Sequence, residues 1–139
     1  MERIVVGVDG SETAQRALQW AVDEARRRSA VVEAIYAWRE PFVVGYAYMG
    51  EWDMNKLTAE AETLLAEAVD AVDTTGVTVE RKVMTGGPAQ VLVEQAKGAA
   101  LLVVGSRGRG GFSGLLLGSI SQQAAHHAPC PIVIIPPAG

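Results

Sequence analysis

Gly105-Ser106-Arg107-Gly108 is followed, after nine intervening residues, by Gly118-Ser119, and the stretch between them includes Arg109-Gly110-Gly111-Phe112-Ser113-Gly114. Glycines let a backbone come close to a bulky anion, and the first amides of a helix point outward with nothing to bind inside it. A serine at such a start can cap the helix or bond a phosphate oxygen. Arg107 and Arg109 add local positive charge, which a polyphosphate needs in an acidic protein. The chemistry offered is therefore anion binding. A second chemical group, Asp9, stands in Val6-Gly7-Val8-Asp9-Gly10-Ser11, where it reads either as a turn former or as a ligand contact at a strand end.

The elements that would position these groups alternate along the chain. Ile4 to Val8 reads as a buried strand. Ala14, Ala17, Leu18, Ala21, Val22 and Ala25 then form one apolar helical stripe, with Glu12 at its start and Arg26-Arg27-Arg28 at its end. Val31 to Trp38 is a second strand. Leu57, Ala61, Leu64, Leu65, Ala68 and Val72 mark a second helix, closed near Gly76. Val77 to Met84 alternates like a half-exposed edge strand, and Pro88 opens a third helix with Leu92, Val93 and Ala96 facing inward. Ala99 to Val104 is the fourth strand, Ser119 to His127 the fourth helix, capped by Ser119, and Ile132 to Ile135 the fifth strand. Arg39 to Asn55 reads as one long irregular piece, its Tyr46, Tyr48 and Trp52 able to cover a ligand or a partner.

Strand–helix alternation calls for a parallel sheet with helices on both faces. Five strands suit a doubly wound, Rossmann-like α/β sheet of order 3-2-1-4-5. Its ligand crevice lies outside the carboxyl ends of the strands where the order reverses, so Asp9 and Gly105 should face each other there. With 139 residues, 49% hydrophobic and 20% charged, the chain fits one globular domain, 1–139. The net charge of -4 argues against a nucleic-acid partner. The single cysteine, Cys130, fits a reducing compartment. Glu2 and Arg3 directly after Met1 do not read as a signal peptide, and no apolar run nears the roughly 20 residues of a membrane helix. A cytoplasmic protein is expected, with no membrane partner.

Several glycine motifs are excluded. A P-loop needs Gly-Lys-Ser or Gly-Lys-Thr, which does not occur. A dinucleotide fingerprint belongs after the first strand, where only Val8-Asp9-Gly10-Ser11 stands. A receiver domain wants an acidic pair and a late lysine, but Asp9 is alone there and no lysine follows Lys97. The Ser-Gly-Gly-x-Asp-Ser of pyrophosphatase-type nucleotide sites is absent after the first strand.

What remains, Gly105-x2-Gly108-x9-Gly118-Ser119, resembles the ATP-binding signature of the universal stress protein family. The likeness extends to Val6 through Ser11, Gly87-Pro88-Ala89 and Cys130-Pro131-Ile132-Val133-Ile134-Ile135-Pro136. The resemblance implies that Gly7, Val8 and Asp9 lie beside adenosine, with Asp9 accepting a hydrogen bond from ribose or base. Ala37 would meet adenine through its backbone, with Val104 packing nearby. Gly105, Arg107 and Gly108 would border ribose and phosphates, and Gly118, Ser119, Ile120 and Ser121 would hold the phosphate tail. ATP would bring magnesium, held mainly by phosphate oxygens and water.

No paired carboxylates, and no histidine paired with a nucleophile, converge in these motifs, so no catalytic residue and no protein metal ligand is expected. His126 and His127 are adjacent, point apart and suit a helix end. Cys130, between two prolines, reads as a buried small residue, and Trp20 and Trp38 as packing groups. Ile132-Val133-Ile134-Ile135 is apolar on both faces at a sheet edge, an aggregation hazard that a two-fold partner would cover. The family resemblance implies the same homodimer. The leading reading is an ATP-binding stress-response or signalling module. Its rivals are a slow ATPase or phosphotransferase, in which Asp9 orients water or metal, and a nucleotide-free interaction protein.

Overall fold

The computed structural model describes residues 1–38, 51–107 and 117–138, without the side chains of 51–53. Arg39 to Gly50, with Tyr46 and Tyr48, and Gly108 to Leu116, with Arg109, lie outside the described residues, as does the Trp52 side chain.

The order is β1 (Arg3–Gly7), α1 (Glu12–Arg28), β2 (Val31–Trp38), α2 (Glu51–Asp70), β3 (Val79–Thr85), α3 (Pro88–Gln95), β4 (Leu101–Gly105), α4 (Ser119–His127) and β5 (Ile132–Ile135). All neighbouring strands are parallel, in the order β3-β2-β1-β4-β5, as the alternating pattern requires. Pairing sets Gly7 against Ile35 and Val6 against Val103. The sheet order reverses at β1, the middle strand.

Period-two alternation divides the core. Ile4, Val6, Val32, Ala34, Leu101 and Val103 face α1 and α2, while Val5, Ile35, Leu102 and Val104 face α3 and α4. The α1 stripe is wholly buried, and each such leucine or valine contributes about 2 kcal/mol. Ser11 caps α1, its hydroxyl accepting the Ala14 amide at 3.2 Å, and Ser29 ends it in the left-handed region at φ 58. Pro88 stands at the start of α3, where its missing amide costs no hydrogen bond.

Four local readings need correction. Glu51 to Asn55 belong to α2 rather than to an irregular stretch. The polar Glu51 and Asp53 favour a helix start but break the apolar period that reveals one. In α3 the buried residues are Ala89, Val91 and Leu92, with Ala96 buried at its carboxyl-terminal cap, whereas Val93 is only half-buried. Ser119 does not cap α4: Gly118 is the capping residue, and no side chain bonds the cap. Cys130 is half-buried rather than buried. No helix among the described residues is long and apolar enough to cross a membrane.

Candidate functional site

At the carboxyl ends of β1, β2 and β4 the sheet opens into a cleft. The end of β1 supplies Gly7, Val8 and Asp9; β2 supplies Ile35 and Ala37; β4 and its continuation supply Val104, Gly105 and Arg107. Helices close it with Ala14 from α1, Pro88 and Leu92 from α3, and Ile120 and Ser121 from α4. Nine residues named from the sequence thus line one space: Gly7, Val8, Asp9, Ala37, Val104, Gly105, Arg107, Ile120 and Ser121. Gly118 and Ser119 are outside that lining, and Gly108 lies outside the described residues. Ala14, Ile35, Pro88 and Leu92 are additions. Their signal was only that of core or helix-start residues, because which apolar side chains turn toward a cleft depends on the packing of distant elements.

Strand geometry gives Ala37 a specific chemistry. The Val31 amide bonds the Glu2 carbonyl and the Ile35 carbonyl takes the Val8 amide, so odd-numbered β2 residues address β1. Trp38 addresses the β3 side, accepting from the Gly86 amide. Pairing with β1 ends at Ile35. The N–H and C=O of Ala37 therefore point past the end of β1, a donor and an acceptor side by side at the cleft.

Two glycines permit the close packing around it. A Cβ on Gly7 would lie 2.9 Å from Leu92 Cδ1, so the glycine admits α3 to the cleft wall. A Cβ on Gly105 would overlap Thr13 Oγ1 and meet the Ala14 nitrogen at 2.7 Å, so α1 sits directly against β4.

Asp9 and Arg107 carry the only charges among the described lining residues. Asp9 Oδ1 accepts the Ser11 amide at 2.8 Å, making the turn into α1, and the half-buried carboxylate still borders the cleft. Thr13 Oγ1 donates to the Arg107 carbonyl at 2.5 Å and accepts the Arg107 amide at 3.4 Å. Arg107 Nε is buried without a hydrogen-bond partner among the described residues, as is Ser106 Oγ. Burial without a partner is costly for either group, and an arriving acceptor would relieve it.

The start of α4 is tied to β4 through the Ser106 carbonyl, which accepts the Gly118 amide at 2.6 Å and the Ser121 hydroxyl at 3.0 Å. The Ser121 hydroxyl also reaches the Gly118 carbonyl at 3.0 Å. These two donors are spent inside the protein. Helix geometry still leaves the amides of Ser119, Ile120 and Ser121 without an intrahelical acceptor, at the positive end of the helix dipole.

Other candidate groups stand apart. His126 and His127 are exposed, with ring centroids 6.4 Å apart. Burial pushes the Cys130 thiol up, with Arg3 opposing, which disfavours the thiolate. Trp20 packs on the core, as expected of a structural residue. Among the described residues no cluster of three histidines, cysteines or carboxylates is placed to hold a metal.

The whole arrangement has counterparts. Residues 1–136 match the model of the universal stress protein family. A universal stress protein of Mycolicibacterium smegmatis is 39% identical over 137 residues, covering 96% of this chain and 45% of that protein. One from Mycobacterium tuberculosis is 38% identical over 133 residues, covering 94% of this chain and 44% of its own length. The chain thus spans less than half the length of these relatives. A crystal structure of a universal stress protein in complex with cAMP superposes with a TM-score of 0.74 at 28% identity, covering 99% of this chain and 98% of the other.

Proposed function

The chain belongs to the universal stress protein family, and on that premise we propose that it binds an adenine nucleotide, ATP with magnesium, as a nucleotide-dependent stress-response module. The observation that carries the reading is the division of one cleft into two chemistries. On one side of β1 stand the outward amide and carbonyl of Ala37; on the other stands Arg107, its buried Nε without a partner among the described residues. An adenine edge offers an acceptor and a donor for the first, its faces suiting Leu92, Val104 and Ile120. Phosphates suit the second, together with Gly105, Gly108 and the outward amides of Ser119, Ile120 and Ser121 at the α4 start. Asp9, between Ala37 and Arg107 beside Gly7 and Val8, suits a ribose hydroxyl.

Magnesium bound by phosphate oxygens and water would need no protein cluster. The related structure with cAMP supports an adenine ligand of this class. The protein works in the cytoplasm as a homodimer, joined through the open edge of Ile132, Val133, Ile134 and Ile135.

The test is thermal unfolding with ATP, AMP, cAMP and GTP, joined to mass spectrometry of ligand released from the purified protein. Saturation at a hundredfold over the dissociation constant should stabilise by about 2.7 kcal/mol. Adenine nucleotides should do so and GTP should not. No stabilisation by any adenine nucleotide would overturn the reading, and steady conversion of ATP to ADP would favour the enzyme instead.

A further inference from the structure

We propose that Thr13, which does not line the cleft, positions Arg107 for an anionic ligand, so that grip on phosphate is set from the first turn of α1. The proposal rests on the nucleotide reading of the cleft and assigns a role inside it. Thr13 is 4% exposed. Its one hydroxyl engages both backbone polar groups of Arg107, donating to the carbonyl and accepting the amide. The Ser11 hydroxyl gives the same carbonyl a second contact at 3.4 Å. The missing side chain of Gly105 brings Thr13 this close, since a Cβ there would overlap its Oγ1.

A helix start that needed only an anchor would be satisfied by one hydrogen bond to the neighbouring strand. Here the amide and the carbonyl of one residue are both held, which fixes the direction in which its side chain leaves the backbone. That residue is the one cation among the described lining residues. Its Nε is enclosed without a hydrogen-bond partner among the described residues, a buried donor that an arriving phosphate oxygen would satisfy. A planar guanidinium bonds phosphate in a fork, and such bonds depend on angle as well as distance. A small backbone rotation at Arg107 is carried to the fork through the whole side-chain stem.

Titration calorimetry of the full chain with magnesium–ATP and with adenosine tests this. Thr13→Val keeps the branched shape and removes both hydrogen bonds. It should weaken ATP about tenfold while adenosine binding changes by less than about twofold. Thr13→Ser keeps the hydroxyl and should bind both ligands like the parent. In an Arg107→Ala background, Thr13→Val should cost ATP nothing further, the non-additivity expected when one residue acts through another. Should Thr13→Val not fold, Thr13→Ala is read in the same way. Equal weakening of ATP and adenosine, no weakening of ATP, or an undiminished effect in the Arg107→Ala background would each overturn the positioning role. A parent chain that binds neither ligand would instead remove the nucleotide reading itself and this role with it.

Discussion

A methyl group on Gly105 would overlap Thr13 Oγ1 and stand 2.7 Å from the Ala14 nitrogen, so β4 and α1 touch through a bare backbone. Backbone cannot step aside as a side chain can. Gly105→Ala should therefore destabilise the fold by about 3 kcal/mol, the upper range for an overpacked site. Gly7→Ala meets only the end of Leu92, at 2.9 Å, and should cost about 1 kcal/mol as that side chain turns. Urea unfolding of the two variants ranks them. Equal midpoints would show that α1 is free to shift away from β4.

The direction of the Ala37 backbone gives a test that leaves the side chains alone. Its amide points past β1 and not toward β3, so a proline there removes no sheet hydrogen bond. Ala37→Pro should cost about 1 kcal/mol of stability or less and weaken adenosine binding about tenfold. Calorimetry reads the second effect and thermal unfolding the first. Unchanged adenosine affinity would mean that the base does not meet this amide.

The strand ends were legible in the sequence because they depend on short-range signals. Asp9-Gly10-Ser11 is turn and cap chemistry, and the α1 stripe has a clean helical period, so the crevice beside β1 followed from the alternation alone. The part of α2 before Leu57 was not legible, since Glu51 to Lys56 carry no apolar period. The roles of Gly105 and Thr13 were hidden for a different reason. A glycine that admits a helix and a glycine that admits a phosphate look alike in sequence, and the structure gives Gly105 the first task while keeping it at the cleft. Serine prefers the capping position, which points to Ser119, but the Ser106 carbonyl holds the Gly118 amide and the cap falls on Gly118, one residue before the first helical residue.

Two carboxylates make stability fall in acid. Hydrogen bonds from Arg27 and then Arg28 hold the Glu24 carboxyl below its ordinary 4.5. The hydroxyl and then the amide of Thr75 hold Asp73 below its ordinary 3.8. A carboxylate with a lowered folded-state pKa takes its proton more readily in the unfolded chain. Its contribution is whole above the ordinary value and is lost as pH falls through the lowered one. The parent should exceed a Glu24→Gln, Asp73→Asn variant in stability at neutral pH, and the gap should close below pH 4.5. Unfolding followed from pH 7 to pH 2.5 checks it, and a constant gap would contradict the assignment.

The two edges of the sheet differ in a way that bears on assembly. β3 carries Glu80, Arg81 and Lys82, charges that discourage pairing with another strand. β5 carries Ile132, Val133, Ile134 and Ile135 and no charge. The carbonyls of Pro131, just before β5, and of Ile135 accept from Leu102 of β4 and from Ser106 just past it, so the backbone groups of the odd-numbered residues of β5 face inward. The amides of Ile132 and Ile134 consequently face the open edge. Ile134→Pro would delete one outward donor while sparing every bond to β4. If the proposed dimer forms by strand pairing at this edge, the variant should sediment as a monomer where the parent is a dimer, and its circular dichroism should stay that of the parent. Loss of the isoleucine side chain from the packing around α4 also lowers stability, so Ile134→Val serves as the control: it trims the side chain, keeps the amide and should remain dimeric. A parent that sediments as a monomer at all concentrations, or an Ile134→Pro protein that stays dimeric, would place the assembly elsewhere.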